Sequence, residues 1–477
     1  IPLAWLLASC EFVGKRFFNW ALILPLAMPG YLIAYTYTDM FDYAGVVQRS
    51  LREVFGWTSP NDYWFFEVRS LTGAAIMLAL VLFPYVLLLA KANFKNQPAS
   101  YTFAARSLGH SPLYSFFKVS LPMAKNAIMG AVLLVMMETM ADFATVHYFA
   151  VSTLTTAVYD TWLGYYDLAS AAKLSLVMMV GVIGLVVLEQ QINKASSVDA
   201  NAKVSQIAVN YILSGWRSWL AGFLCLCVFL LGFGIPALTL LSYALEYWQD
   251  VWHLDVLKYA GNSVLIAGTT ASTCVVMALL FNFAYRNNST KFNQTVLTSA
   301  GSGYAIPGTV LAIAVLILYS YLDNLINVSA SSIGFEQPGL LLSGTIVAIV
   351  TAHVVRFQAI ANKSVQDQYA QINKSLDWAA SSLGRRLSTI FTRVHWPLLR
   401  RGVWVSVLLV FVESMKELPA ALLLRPFDFD TLPTFVYQFA SDEQLEQAAL
   451  GALLIVLVGL VPLIFINRTI DKPRLIE

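Results

Sequence analysis

Charged residues are scarce in this 477-residue chain, at 12% of the sequence, whereas apolar residues make up 58%. The mean hydropathy of +0.65 favours a membrane protein over a soluble protein with a very large core. The four cysteines are too few for a disulfide framework, and Cys225 and Cys227, two apart on a predicted helix, cannot share a metal ion. The net charge of +2 says little about partners. We expect no metal site, no cofactor and no nucleic-acid partner.

A phosphate-binding loop of the G-x-x-x-x-G-K-[ST] type is also missing, because Gly14-Lys15-Arg16 lacks both the preceding glycine and the hydroxyl residue. Residues 1–10 lack the basic segment and the cleavage site of a signal peptide. The chain is therefore not expected to be an enzyme. If it performs work, the energy must come from a partner or from an ion gradient.

Long apolar runs recur along the chain, and each is long enough to cross a hydrocarbon core of about 30 Å. Continuous runs favour helices over the short alternating segments of a barrel. The sequence predicts an all-α polytopic membrane protein with about ten spans. These spans are placed at 16–38, 70–92, 127–150, 171–190, 217–243, 261–285, 296–322, 340–362, 403–424 and 447–467.

An internal repeat links two parts of the chain that lie 275 residues apart. Residues 104–109 (AARSLG) recur as residues 379–384 (AASSLG), and 14 of 40 positions are identical between 104–143 and 379–418. A repeat of this length predicts two copies of one structural unit, which in membrane proteins commonly pack around a shared path. The outer segments are duplicated as well, because Leu432 and Tyr437 match Leu154 and Tyr159.

The repeated loops, at 95–126 and 363–402, are too polar to span a membrane. Each predicts a short helix with a small-residue face, a glycine bend, and a second helix that a proline ends. Small residues allow another protein to approach closely, so we expect docking elements, with a helix covering the inner surface as the alternative. The docking residues are Ala104, Ala105, Leu108, Gly109, Pro122, Ala379, Ala380, Leu383, Gly384 and Pro397.

The side that holds these two loops carries about four times as many lysine and arginine residues as the other side. This asymmetry places the loops in the cytoplasm. Residues 1–190 form a predicted first half with four spans, 191–216 a cytoplasmic linker, and 217–477 a second half with six spans. Residues 27–30 match residues 305–308 at an offset of 278. The first half is therefore expected to be incomplete, with two further spans before residue 1.

Acidic residues lie inside two predicted spans at matching positions. Glu138 and Asp142 share one helix face, and Glu413 and Glu417 repeat the arrangement with Lys416 beside them. Charges within a membrane usually face the bundle interior or an aqueous path. One interpretation is a cation pathway. The other is structural pairing, either within the helix or with a residue of the preceding span, or capping of a bent helix.

Proline-glycine pairs interrupt apolar runs at matching sites, at Pro29-Gly30 and Pro307-Gly308. Interrupted helices at corresponding positions of two halves often mark a substrate path or a gate. A simple kink is the alternative.

The motifs AARSLG and AASSLG, each followed by LP or WP, resemble the EAA loop of type I (MetI-like) permeases of ABC importers. Phe103 and Trp378 occupy the positions where that pattern has glutamate. The two fused halves, with METMADF at 137–143 and ESMKELPAALLLRP at 413–426, resemble ferric-iron ABC transporter permeases.

The resemblance implies a bacterial inner-membrane permease whose two loops are coupling helices. Its implied partners are an ATP-binding subunit in two copies, a periplasmic or extracellular substrate-binding protein, and membrane lipid. Thiamine or another small solute remains an alternative substrate. The rival classes are a gradient-driven secondary transporter and a membrane scaffold without transport activity.

Overall fold

Long apolar helices dominate the computed structural model, which describes residues 1–199, 211–251 and 255–470. Within these ranges six helices are long and apolar enough to cross a membrane. They are Leu71–Asn96, Leu168–Ile192, Trp216–Gln249, Val256–Asn287, Gly308–Ser332 and Leu445–Leu463. All six correspond to predicted spans, although the helix predicted at 296–322 begins only at Gly308.

Two further predicted spans are bent. Lys15–Ala27 meets Gly30–Phe55 at 92°, and Pro112–Met123 meets Lys125–Ala141 at 68°. If each bent pair is one span, the described residues contain up to eight. The expected count of about ten is therefore not confirmed.

The two remaining predictions fall on helices that are too polar to count as spans by length and composition. Ile346–Ala370, at the span predicted for 340–362, buries His353 and Arg356. Trp396–Lys416, at the span predicted for 403–424, contains Glu413 and ends at Lys416. Ionisable groups inside these helices lower their hydropathy, although the helices themselves are 25 and 21 residues long.

Shorter elements connect the long helices. The α- and 3-10 helices are Pro2–Ser9, Lys15–Ala21, Leu24–Ala27, Gly30–Phe41, Val46–Phe55, Pro60–Asp62, Ala99–Ser107, Pro112–Ser115, Leu121–Met123, Ala144–Tyr148, Leu154–Tyr159, Lys291–Ala300, Gly303–Ala305, Ser375–Ser382, Leu387–Ile390, Pro419–Leu424 and Leu432–Ser441. The π-helical turns are Phe116–Ser120, Asp160–Gly164, Leu230–Gly234 and Phe391–His395. Strands Cys10–Glu11 and Tyr211–Ile212 pair in parallel.

One compact unit contains Ile1–Thr153 and Val180–Glu246, together with the chain from Asn467. Its helix from Trp216 packs against helix Gly30–Phe41. The Tyr37 hydroxyl donates to the Leu231 carbonyl at 2.5 Å, and the Tyr243 hydroxyl donates to Asp39 at 2.5 Å. The first predicted span of the second half thus packs with residues of the first.

The other compact unit contains Leu154–Met179 and Tyr247–Ile466. Helices Val256–Asn287, Ile346–Ala370 and Trp396–Lys416 form its core. Small buried side chains such as Ala271, Ala278 and Ala361 line the contacts between these helices. Because small residues let helix backbones approach closely, they account for this packing.

The predicted division at 1–190, 191–216 and 217–477 follows the sequence repeat and stays a prediction. Helix Leu168–Asp199 extends into the predicted linker. The linker residues 200–210 and the final residues 471–477 lie outside the described part of the chain.

Candidate coupling loops and helix junctions

The two repeated loops each begin with a short helix. The first loop helix is Ala99–Ser107 and the second loop helix is Ser375–Ser382. Each ends at a glycine in the left-handed region, Gly109 at φ +80° and Gly384 at φ +67°. A side chain is strained in that conformation, which explains why glycine recurs. The predicted short helix followed by a glycine bend is confirmed in both copies.

The same backbone hydrogen bonds close both helix ends. The Leu108 amide donates to the Ala104 carbonyl and the Leu383 amide donates to the Ala379 carbonyl, each at 3.2 Å. In each copy the amide that follows the glycine reaches back to the second alanine, at 3.1 Å to Ala105 and 3.2 Å to Ala380. These bonds satisfy carbonyl groups that a helix end otherwise leaves free.

The leucine at each helix end points outward. Leu108 is 76% exposed and Leu383 is 77% exposed, although both are large apolar side chains. Beside them, Phe103 and Trp378 are also exposed, so aromatic rings stand where the EAA pattern has glutamate. Among the predicted docking residues, Ala105 is buried and Ala380 is half-buried. The others, Ala104, Gly109, Pro122, Ala379, Gly384 and Pro397, are exposed.

A π-helical turn follows each loop helix, at Phe116–Ser120 and Phe391–His395, again 275 residues apart. The second helix of the first loop, Pro112–Met123, ends one residue after Pro122, as predicted. In the second loop the prediction is wrong, because the helical run continues past Pro397 to Lys416. Each proline lies in the helical turn that follows the π-helical turn of its loop.

Side chains that the sequence prediction missed hold the second loop helix in place. Arg286 Nε donates to Asp377 Oδ2 at 2.7 Å, and its other nitrogens donate to the carbonyls of Tyr369 and Ile372 at 3.0 Å. His395 Nε2 lies 2.7 Å from Asp377 Oδ1. Burial raises the pKa of Asp377, but the hydrogen bonds with His395 and Arg286 and the Arg286 charge outweigh burial and leave the pKa below its ordinary value of 3.8.

The first loop is anchored differently. Phe116 of its π-helical turn packs against Trp5 and Phe94, with ring centroids 5.0 and 6.1 Å apart. Gln97 Nε2 donates to the Ser120 carbonyl at 2.8 Å. Ring packing and a neutral hydrogen bond thus hold the first loop, whereas an ion pair anchors the second copy.

Replacing Arg286 with Ala is expected to loosen the second loop helix by about 1–3 kcal/mol, the cost of unsatisfied buried partners. Hydrogen exchange should accelerate at residues 375–382 and stay unchanged at residues 99–107. Arg385→Ala, an exposed cation of the same loop, is the matched control. Equal exchange in the Arg286 variant and the wild type would contradict the anchor.

The anchor is also expected to depend on pH. A carboxyl whose folded pKa lies below its unfolded pKa adds stability at higher pH and loses that contribution as pH falls through the folded value. Exchange at residues 375–382 should therefore stay slow at neutral pH and accelerate only below about pH 4.

Both proline-glycine pairs lie at helix starts. Pro29 precedes the first Pro-Gly helix, Gly30–Phe41, and Pro307 precedes the second Pro-Gly helix, Gly308–Ser332. The two prolines share one extended conformation, with φ near −60° and ψ of 145° and 144°. The matching positions are therefore true helix boundaries.

An acidic residue faces each of these helix starts. A β-carbon added at Gly308 would overlap Glu417 Oε1 and lie 2.8 Å from Arg356 Nη1. One added at Gly30 would lie 3.8 Å from Asp142 Oδ2 and 3.5 Å from Leu78. Asp142 precedes Glu417 by 275 residues and Leu78 precedes Arg356 by 278, so the two junctions are equivalent. An acid near a helix start is stabilised by the helix dipole.

Each acid also ends a long helix, and we name these the first link helix (Lys125–Ala141) and the second link helix (Trp396–Lys416). Asp142 accepts hydrogen bonds from the Thr145 hydroxyl at 3.0 Å and the Val146 amide at 3.2 Å. Glu417 pairs with Arg356 at 3.3 Å. The structure thus joins each loop, through one link helix, to one Pro-Gly helix.

The remaining predicted path residues lie on the link helices. Glu138 is half-buried on the first, and Glu413 pairs with Lys416 at 2.8 Å on the second. His353 lies 2.8 Å from the Ser414 hydroxyl. Both interpretations of the acids, as path residues and as structural pairs, stay predictions.

Alanine at Gly308 is expected to destabilise the protein by about 1–3 kcal/mol, because the new methyl group displaces a buried ion pair. Alanine at Gly30 should cost less than about 1 kcal/mol, since its nearest neighbour, Thr145 Oγ1, would lie 3.1 Å away. Thermal unfolding of the two purified variants measures the difference. Equal losses would contradict the tighter second junction.

Comparisons with known proteins find similarity to transport proteins. Residues 1–194 match the family described as "Binding-protein-dependent transport system inner membrane component". A Fe(3+)-transport system permease protein of Haemophilus influenzae is 26% identical, over 98% of this chain and 85% of the relative. A ferric transport system permease protein of Actinobacillus pleuropneumoniae is 24% identical, over 95% of this chain and 65% of the relative.

A thiamine transport system permease protein of Escherichia coli is 25% identical, over 83% of this chain and 72% of the relative. The similarity to transport permeases therefore extends through both copies of the repeat. The chain is a polytopic inner-membrane protein that is similar over nearly its whole length to transport permeases, and its residues 1–194 match the family of inner-membrane components of binding-protein-dependent transport systems.

Proposed function

We propose that the chain is the permease of an ATP-driven importer and that its substrate is ferric iron. A periplasmic binding protein delivers the substrate, and an ATP-binding subunit docks at each of the two loop helices. The observation that carries this proposal is the matched pair of outward-pointing leucines, Leu108 and Leu383, at helix ends of identical backbone geometry. Exposed apolar side chains at duplicated sites outside the spans favour a partner protein that binds twice.

The link helices supply a route from docking to transport. The second link helix has 21 residues and is about 31 Å long, so a push at its loop end reaches Glu417 without an intervening hinge. Glu417 and Arg356 contact the start of the second Pro-Gly helix. Closure of the ATP-binding subunits would move the loop helices and shift the Pro-Gly helices, which exchanges an inward-open path for an outward-open one.

Ferric iron is the favoured cargo because two of the relatives are named as ferric or Fe(3+) permeases and match nearly the whole chain. Thiamine is the second candidate, on the strength of the thiamine permease relative. Selectivity between the two is expected to lie mainly in the binding protein.

Reconstituted transport tests the proposal. The chain is placed in liposomes with its ATP-binding subunit, with ATP in the lumen and a binding protein loaded with labelled ferric iron outside. We expect uptake that requires both ATP and the binding protein. Uptake by the chain alone, without nucleotide, would instead establish a gradient-driven transporter. Uptake of thiamine but not of iron would keep the importer and overturn the cargo.

A further inference from the structure

The repeat extends to two short helices beyond the junctions. Leu154–Tyr159 and Leu432–Ser441 begin 278 residues apart. Five pairs of identical residues lie at this offset: Thr153 and Thr431, Leu154 and Leu432, Thr156 and Thr434, Val158 and Val436, and Tyr159 and Tyr437. With six and ten residues, the helices are about 9 and 15 Å long and cannot cross a bilayer of about 30 Å.

Both helices lie in the duplicated segments that the sequence predicts on the outer side. Val158 and Val436 are fully buried, so one side of each helix packs in protein. Tyr437 is buried as well, whereas Tyr159 is half-buried.

Tyr159 and Tyr437 are hydrogen-bonded to each other through their side chains. Equivalent residues of two repeat copies can touch only where the local axis that relates the copies passes between them. In transporters built from repeats, the substrate path runs along the interface between the copies. The tyrosine pair therefore occupies the place where such a path would be closed.

The two tyrosines are attached to different helices. Val158, next to Tyr159, shares a buried cluster with Ile313 of the second Pro-Gly helix. The segment before Tyr437 is held by helix Val256–Asn287, because Ser263 Oγ accepts from the Leu432 amide at 2.7 Å and Asn262 donates to the Asp430 carbonyl at 2.8 Å. A shift of the second Pro-Gly helix would therefore separate the two hydroxyl groups.

We propose that Tyr159 and Tyr437 form a gate across the translocation path, closed by their mutual hydrogen bond and opened when the second Pro-Gly helix moves. The gate rests on the proposed function, since it presupposes a path that ATP hydrolysis opens. Its phenol groups face the cargo only in the open state. Neither tyrosine belongs to the docking surface, so changing them leaves binding of the ATP-binding subunit intact.

Dityrosine cross-linking of the assembled transporter tests the contact directly. Photo-oxidation with a ruthenium complex and persulfate joins two tyrosine rings that touch, and mass spectrometry identifies the linked peptides. We expect a cross-link from Tyr159 to Tyr437 in the resting state and a loss of about tenfold in the complex trapped with ATP and vanadate. Tyr31 and Tyr35, with ring centroids 5.6 Å apart on one helix, are the control pair and should not change.

A cross-link of equal yield in both states would make the pair a fixed structural contact and overturn the gate. Absence of the cross-link in the resting state, with the control pair linked, would overturn the contact itself. As a second measurement, the double variant Tyr159→Ala with Tyr437→Ala should leak cargo about tenfold faster without ATP. An unchanged leak from this variant would also overturn the gate.

The gate and the proposed function fail differently. If wild-type liposomes show no ATP-dependent uptake, the proposed importer is lost whatever the cross-link shows. If they show ATP-dependent uptake while the cross-link yield is the same in the resting and the trapped states, only the gate is disproved.

Discussion

Replacing both Leu108 and Leu383 with Asp is expected to abolish binding of the ATP-binding subunit and, with it, uptake. Each leucine is about three-quarters exposed in the chain, so a partner that covers it gains most of the free energy of burying a leucine side chain. That gain is about 1.5–3 kcal/mol per site. Because each subunit covers one leucine, its affinity should fall by about 10- to 150-fold, before the cost of burying a carboxylate is added. Affinity of the purified chain for the subunit in detergent measures the effect.

Two controls separate docking from general damage. Phe427→Asp changes a fully exposed apolar residue in a segment predicted to lie on the outer side, and it should leave subunit binding unchanged. The double variant with Met at both leucine positions keeps the apolar volume and should bind within about tenfold of the wild type. Normal binding by the double Asp variant would disprove the docking surface.

Removal of the Arg356 guanidinium is expected to cause a large loss of protein stability. Arg356→Ala leaves Glu417 buried against the start of the second Pro-Gly helix without its ion-pair partner. Loss of one partner from a buried pair costs about 3–5 kcal/mol, far more than loss of an exposed one. We expect a large drop in the unfolding temperature of the purified protein and poor accumulation in the membrane.

The same helix offers a matched control. Lys363 pairs with Asp367 at 3.0 Å, and its side chain is 72% exposed. Lys363→Ala should change stability by less than about 1 kcal/mol. The double variant Arg356→Met with Glu417→Gln removes both charges and should recover much of the lost stability. If Arg356→Ala were as mild as Lys363→Ala, the ion pair would not hold the junction.

The loop helices were predictable from the sequence because their signal is local. Gly109 and Gly384 stand where a left-handed residue must end a short helix, and the repeat places both at the same offset. The proline-glycine helix starts were predictable for the same reason. The same local sequence signal occurs in both copies of the repeat, so such elements can be identified without any knowledge of packing.

The anchors and the span count depend on contacts between distant residues. Arg286 and Asp377 are 91 residues apart, and each alone resembles an ordinary surface charge. The junction partner of Gly308 could not be chosen among several acids before Glu417 was seen beside it. Helix Ile346–Ala370, predicted as a span, is too polar to count as one by composition, although its buried polar side chains find partners on neighbouring helices, which hydropathy does not register.

The packing of the helix from Trp216 against helix Gly30–Phe41 also bears on biosynthesis. Tyr37 and its acceptor at Leu231 are separated by 194 residues, so this contact cannot form until the ribosome has passed residue 231. A polypeptide that ended between the two repeat copies, before the helix from Trp216, would leave the Tyr37 hydroxyl and Asp39 without these partners. Fusion of the two copies into one gene product supplies the missing helix in cis, at a fixed stoichiometry and without a search between separate chains.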